Sequence, residues 1–151
     1  MTHKSPPTAT PVQRMAVMMI IALLIQFLLG MYTNLFIALP RVAVQESGGL
    51  MLGMGRMMAV GFSDPVFMVH MIVGMLLVLG ALATVMVGIS VKQTPFMVIT
   101  VIGLAAVLIA GYGGLTFFMN GQHNSASYTM AVGWLSAVTI YFMAYVRASA
   151  G

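Results

Sequence analysis

The sequence contains no cysteine and very few charged residues. The lack of cysteine excludes disulfides, thiolate-bound metal clusters and covalent attachment of a c-type haem through cysteine. Any metal or haem would therefore bind through histidine, methionine or oxygen ligands. Charged residues make up 5% of the 151 residues, whereas about a quarter are charged in an average soluble domain.

Only two residues are acidic, Glu46 and Asp64, and neither lies inside a long apolar run. The sequence therefore offers no carboxylate dyad and no acidic proton relay through a membrane. It also contains no recognisable nucleophile–base pair and no phosphate-binding loop, so the protein is better interpreted as a non-enzyme than as a hydrolase or a pump. Its six basic residues are scattered, which does not predict binding to nucleic acid.

Apolar residues are abundant and make up 61% of the chain. Four uncharged runs cover about residues 15–39, 66–91, 96–118 and 127–146, and each reaches the roughly 20 residues that a membrane-spanning helix needs. We therefore expect an all-α integral membrane protein, an antiparallel up-down four-helix bundle that forms a single domain over residues 15–151. Residues 1–14 are predicted to be a flexible cytoplasmic tail, and residues 40–65 an outer loop.

The basic residues predict the orientation in the membrane. Four of the six fall on the side shared by both termini and the second loop: Lys4, Arg14, Lys92 and Arg147. Such a bias in short segments favours the cytoplasmic side. The sequence therefore predicts a multi-pass protein of the cell membrane with both termini in the cytoplasm.

The outer loop is rich in glycine and methionine. Met51, Met54 and Met58 recur at helical spacing, which predicts a short helix at the membrane interface. Thioethers favour Cu(I), and His123 could add a nitrogen ligand, so these four residues are candidates for a copper site. Alternatively, methionine fills gaps in apolar packing or forms an adaptable surface that contacts a larger membrane complex or a second copy of the chain.

Small and polar residues form one stripe on each predicted helix. In the first helix the stripe is Ala22, Gln26, Gly30, Asn34 and Ala38, and in the second it is Gly74, Ala81 and Gly88. His70 lies within about 40° of the second stripe and is expected to face protein. As a purely structural residue, His70 would bond to Tyr32, Asn34 or Thr129, because an unpaired imidazole is costly in hydrocarbon.

Two further patterns concern the fourth apolar run. Residues 70–76 (HMIVGML) align with residues 129–135 (TMAVGWL), which suggests a faint internal repeat of two similar hairpins. Trp134, Tyr141 and Tyr145 are expected to serve packing and an aromatic belt at the inner membrane interface.

The chain also resembles one four-helix half of haem A synthase and, more loosely, small membrane b-type cytochromes. The resemblance is carried by Gln26, Leu29 and Gly30 in the first helix and by His70 and Gly74 in the second. It implies that a b-type haem binds through His70 as axial ligand. The family's second ligating histidine is replaced here by Thr129.

A haem site of this kind would include four further residues. Met130, next to Thr129, would be the other axial ligand, because a His/Met pair holds the iron in some cytochromes. Gln26, Asn34 and Thr129 would surround the site.

Three functions are therefore compatible with the sequence. The first is a small membrane protein that binds a b-type haem or is associated with redox chemistry. The second is a non-catalytic accessory or scaffold subunit of a larger membrane complex of the respiratory type. The third is a Cu(I)-binding membrane protein that uses methionine and histidine.

Overall fold

The computed structural model describes residues 10–37, 55, 58–119 and 122–149. Within these residues, four long helices follow one another: α1 (Pro11–Phe36), α2 (Pro65–Ser90), α3 (Thr94–Met119) and α4 (Asn124–Ser149). The described residues contain no strand, which confirms the all-α class. Each helix has 26 residues. At about 1.5 Å per residue each is about 39 Å long, enough to cross a hydrocarbon core of about 30 Å.

The helices extend beyond the apolar runs at several ends. α1 begins at Pro11 rather than at residue 15, so the predicted flexible tail was too long by four residues. The hydroxyl of Thr10 accepts a hydrogen bond from the backbone N–H of Gln13, and the Gln13 side chain accepts one from the N–H of Thr10. This capping box, with Pro11 in the first turn, starts the helix in polar sequence.

α2 begins one residue earlier than predicted, and its start is again marked by a capping residue. The Asp64 carboxylate accepts hydrogen bonds from the N–H groups of Val66 and Phe67, at 2.9 and 3.0 Å. Asp64 is therefore the N-cap, and Pro65 occupies the first helical position. Residues 58–63, which the sequence assigned to the outer loop, are helical as well.

The four helices pack as a ring in which α1 contacts α2 and α4, and α3 contacts α2 and α4. At one end the Gln13 side chain donates a hydrogen bond to the Ser149 hydroxyl, at 2.9 Å. At the other end the Gln122 side chain donates one to the Ile37 carbonyl, at 3.0 Å. We call the end near Gln13 and Ser149 the basic end, because it carries Arg14, Lys92 and Arg147, and the end near Ile37 the opposite end.

Two clusters of buried side chains form the core. The central cluster consists of Met19, Leu23, Leu77, Ala81, Ala106, Val107, Ala137 and Tyr141. The aromatic cluster lies toward the opposite end and consists of Phe67, Phe117, Phe118 and Ala126. Most large apolar side chains outside these clusters remain exposed, as expected for helices that are surrounded by lipid.

Candidate functional site

A histidine and a glutamine meet between α1 and α2. The side-chain amide nitrogen of Gln26 lies 3.4 Å from Nε2 of His70. His70 therefore faces α1, as the small-residue stripe predicted. Its partner is Gln26, however, and not Tyr32, Asn34 or Thr129. We refer to Gln26 and His70 as the polar pair.

Two glycines make room for the polar pair. A Cβ atom added to Gly30 of α1 would lie 3.1 Å from Cε1 of His70. A Cβ atom added to Gly74 of α2 would lie 3.1 Å from the amide nitrogen of Gln26. Each helix thus places a polar side chain against the glycine of its neighbour, and each of these glycines lies four residues after the polar residue of its own helix. The polar pair and its glycines are four of the five residues that carry the resemblance to haem A synthase.

The polar pair lies inside the membrane-spanning part of the bundle. Along α1, Gln26 is twelve residues from Arg14 and six residues from Tyr32. At about 1.5 Å per residue, these separations are about 18 Å and about 9 Å. The polar pair is therefore nearer to the opposite end, at a depth where water is scarce.

Each member of the polar pair has one polar atom left over. Oε1 of Gln26 and Nδ1 of His70 are buried, and no group of the described residues forms a hydrogen bond with either atom. With the Gln26 amide donating to Nε2, the neutral ring carries its proton on Nδ1, so one acceptor and one donor remain. In hydrocarbon such atoms cost several kcal/mol each, which makes the polar pair an expensive way to join two helices.

The contact between α3 and α4 shows that the same packing is possible without polar side chains. A Cβ atom added to Gly133 of α4 would lie 2.5 Å from the backbone nitrogen of Ala110 in α3. The Met130 side chain in turn lies against Gly113 and Gly114. Glycines thus bring α3 and α4 into close contact through backbone and apolar atoms, without a polar pair.

In the described part of the chain, the other residues predicted for the haem site form no hydrogen bond with the polar pair. The Thr129 hydroxyl donates to the carbonyl of Ser125 in its own helix, at 3.0 Å. The side chain of Met130 packs against α3 and the aromatic cluster. Asn34 is exposed. The structure thus brings together His70 and Gln26 from the predicted site.

The residues predicted for a copper site are separated where they are described. Met58 is exposed in the segment before α2. His123 is exposed at the start of α4, and its Nδ1 atom lies 2.9 Å from the Ser125 hydroxyl. Met51 and Met54 lie outside the described residues. Among residues 10–37, 55, 58–119 and 122–149, no group of three or more His, Asp or Glu side chains could hold a metal ion.

Two aromatic residues near the centre of the bundle make contacts that the sequence did not predict. The indole N–H of Trp134 donates a 2.8 Å hydrogen bond to the carbonyl of Leu23, and its ring stacks on Phe27 with centroids 4.5 Å apart. The only tryptophan thereby joins α4 to α1 next to Gln26. An indole N–H in apolar surroundings needs an acceptor. The position of Trp134 in an apolar run could therefore have predicted a hydrogen bond to another helix.

Tyr141, which was expected to serve packing and an interfacial belt, is fully buried in the central cluster. Its ring lies against Gly103 of α3, where a Cβ atom would come within 3.0 Å of Cζ. The hydroxyl has no hydrogen-bond partner among the described residues. Gly103 makes this burial possible because it leaves room for the ring. The sequence alone does not show that Gly103 and Tyr141 are neighbours.

Four apolar helices that can each cross a bilayer, with a histidine–glutamine pair between the first two, define a small multi-pass integral membrane protein. Comparison of the chain with known protein families, with curated proteins and with solved structures finds no match.

Proposed function

We propose that the protein is a small membrane protein that binds a b-type haem through His70. The observation that carries this proposal is the unsatisfied polar pair. Among the described residues nothing pairs with Oε1 of Gln26 or with Nδ1 of His70, whereas α3 and α4 pack closely at Gly113 and Gly133 through backbone and apolar atoms. Ionisable residues inside a membrane usually serve a function, and neutral imidazole is a common haem ligand.

The donor set fits a haem in its chemistry but requires one movement. Nε2 of His70 faces the Gln26 amide, and Nδ1 is buried, so iron binding requires the Gln26 side chain to leave the ring. The contact at 3.4 Å is long for a hydrogen bond and is therefore weak. His70 would hold the iron, and Met130 would bind it as well only if its side chain left Gly113 and Gly114 of α3. The haem would supply one-electron redox chemistry.

The visible spectrum of the purified protein tests this proposal. We expect a Soret band in mild detergent, with a shift on dithionite reduction, and its loss in His70→Leu. Met130→Leu tests the other predicted ligand, and it would alter the band only if its sulfur binds the iron. A protein that stays colourless after haem is added would refute the proposal.

The alternative is a non-catalytic accessory or scaffold subunit, in which the polar pair only joins α1 to α2. One observation favours it: the spaces over Gly30 and Gly74 are filled by the polar pair itself. In this case His70→Leu would lower stability without any change in colour. A partner of fixed stoichiometry, measured by native mass spectrometry from mild detergent, would support it, and a pure monomer would count against it.

Copper binding stays a proposal that depends on Met51, Met54, Met58 and His123. Metal analysis after loading with Cu(I) tests it directly. We expect bound copper to fall when Met58 is replaced by leucine, and the absence of bound copper in the unmodified protein would eliminate this function.

We further propose that the bundle is antiparallel and up-down, with the basic end in the cytoplasm. The contacts of Gln13 with Ser149 and of Gln122 with Ile37 at opposite ends support the arrangement. The cluster of Arg14, Lys92 and Arg147 supports the orientation. Cysteines introduced at Gln93 and at Ser125, in a chain that has none, should be labelled from opposite sides of the membrane.

A further inference from the structure

Residues 58–63 form a short helical segment directly before α2, at the opposite end of the bundle. Val60 packs against the aromatic cluster, and Gly61 is buried against the Met71 side chain. Met58 and Phe62 point away from the bundle and are 58% and 78% exposed. Residues four apart share a helix face, so the segment has one face on the protein and another that is apolar and uncovered.

Exposed aromatic side chains occur at the same end of the neighbouring helices. Tyr32 and Phe36 of α1 are exposed, with ring centroids 5.0 Å apart. Tyr128, near the start of α4, is 73% exposed. Because α4, α1 and α2 are neighbours in the ring, these side chains and Phe62 surround much of the opposite end.

The distance from these aromatic residues to the basic end matches the thickness of a membrane. Tyr32 is 18 residues from Arg14 along α1, and Tyr128 is 19 residues from Arg147 along α4. At about 1.5 Å per residue, these separations are about 27 and 28 Å, close to a hydrocarbon thickness of about 30 Å. Aromatic side chains concentrate at the boundary between hydrocarbon and headgroups.

We propose that residues 58–63 are a lipid anchor, which inserts Met58 and Phe62 into the leaflet at the opposite end of the bundle. The Asp64 carboxylate caps α2 where the segment joins it, which places this charge at the level of the lipid headgroups. The occupant of the uncovered face is lipid. His70 lies beside Gln26, and Asp64 and Tyr32 are each six residues further toward the opposite end, so the segment joins α2 at about the depth of the exposed Tyr32. Inserting the two side chains removes their apolar surface from water and holds the start of α2 at a fixed depth.

Tryptophan fluorescence in vesicles tests the anchor. Phe62→Trp is made in a Trp134→Phe background, so that the new indole is the only one, and the protein is placed in phosphatidylcholine vesicles with or without brominated acyl chains. Ser125→Trp in the same background is the matched control, since Ser125 is exposed and lies one turn further out than Tyr128.

We expect brominated chains to quench Phe62→Trp and to leave Ser125→Trp unchanged, while aqueous iodide does the reverse. Met58→Trp should behave as Phe62→Trp does, and it replaces that variant if Phe62→Trp fails to fold. Quenching of both Phe62→Trp and Met58→Trp by iodide, with no effect of bromine, would overturn the proposal. It would show that the segment is exposed to water.

Discussion

Replacement of Gly133 by alanine is the most direct test of the packing between α3 and α4. A Cβ atom at this position would lie 2.5 Å from the Ala110 nitrogen, 2.8 Å from the Ala110 Cα and 3.0 Å from the Ala106 carbonyl oxygen. All three are backbone atoms, which cannot yield by a change of rotamer. Since carbon contacts are normal at about 3.5–4.0 Å, the helices would have to separate by about 1 Å.

The expected loss of stability follows from that separation. Overpacking typically costs about 1–3 kcal/mol, and a backbone clash belongs at the upper end of this range. We therefore expect Gly133→Ala to lower the free energy of unfolding by about 2–3 kcal/mol. This corresponds to a decrease of roughly 30- to 150-fold in the ratio of folded to unfolded protein.

Gly111→Ala is the matched control, because it makes the same chemical change on α3 where nothing lies within 4 Å of the added Cβ. It should be neutral, or stabilising by up to about 1 kcal/mol through higher helix propensity. Unfolding would be followed by circular dichroism during titration with SDS in mixed micelles.

A second substitution separates a backbone clash from a side-chain clash. Ala110→Gly should not rescue Gly133→Ala, because the contacted atoms are N and Cα rather than Cβ. Equal stability of the Gly133→Ala and Gly111→Ala proteins would show that α3 and α4 do not approach as closely as described.

Three further substitutions concern the polar and aromatic groups of the core. Gln26→Met keeps a side chain of similar length above Gly74 but removes the amide from His70. If Nε2 binds iron, haem added in a spectroscopic titration should bind about 2-fold more tightly, since a hydrogen bond as long as 3.4 Å belongs at the lower end, about 0.5 kcal/mol. Weaker binding would mean that Gln26 helps to hold the haem. Tyr141→Phe removes a buried hydroxyl that has no partner among the described residues, so stability toward SDS should stay the same or rise by about 1 kcal/mol. A clear decrease would reveal a partner for that hydroxyl. Trp134→Phe keeps the ring stacked on Phe27 but loses the bond to the Leu23 carbonyl, which should cost about 1 kcal/mol by circular dichroism, and an unchanged protein would show that this bond contributes nothing.

The membrane-spanning helices could be predicted because apolar runs of the right length have few other interpretations. Their ends were less predictable, since Thr10, Gln13 and Asp64 extend or start helices through local capping rather than through hydropathy. The stripe of small residues correctly placed His70 toward protein. A stripe of small residues shows which face of a helix packs, but not how far that helix is shifted along its neighbour. The partner of His70 could therefore not be identified from the sequence.

The relative depth of α1 and α2 is set by packing between distant parts of the chain. Gln26 and Asn34 share one stripe of α1 and are two turns apart, so a shift of about 12 Å exchanges one for the other. In the observed register Gly30 receives His70 and Gly74 receives Gln26, whereas the residue four after Asn34 is alanine and not glycine. Burial of Tyr141 likewise depends on Gly103, which lies on another helix.

The hydrogen bonds that join α1 to the last quarter of the chain have a consequence for biosynthesis. Leu23 and Ile37 in the N-terminal part accept bonds from Trp134 and Gln122, which the ribosome adds about a hundred residues later. During translation α1 must therefore wait in the lipid, or beside the insertion machinery, until the final helix emerges. Premature termination before α4 would leave α1 and α3 without the helix that packs against both. Such unfinished chains are the expected targets of membrane quality control.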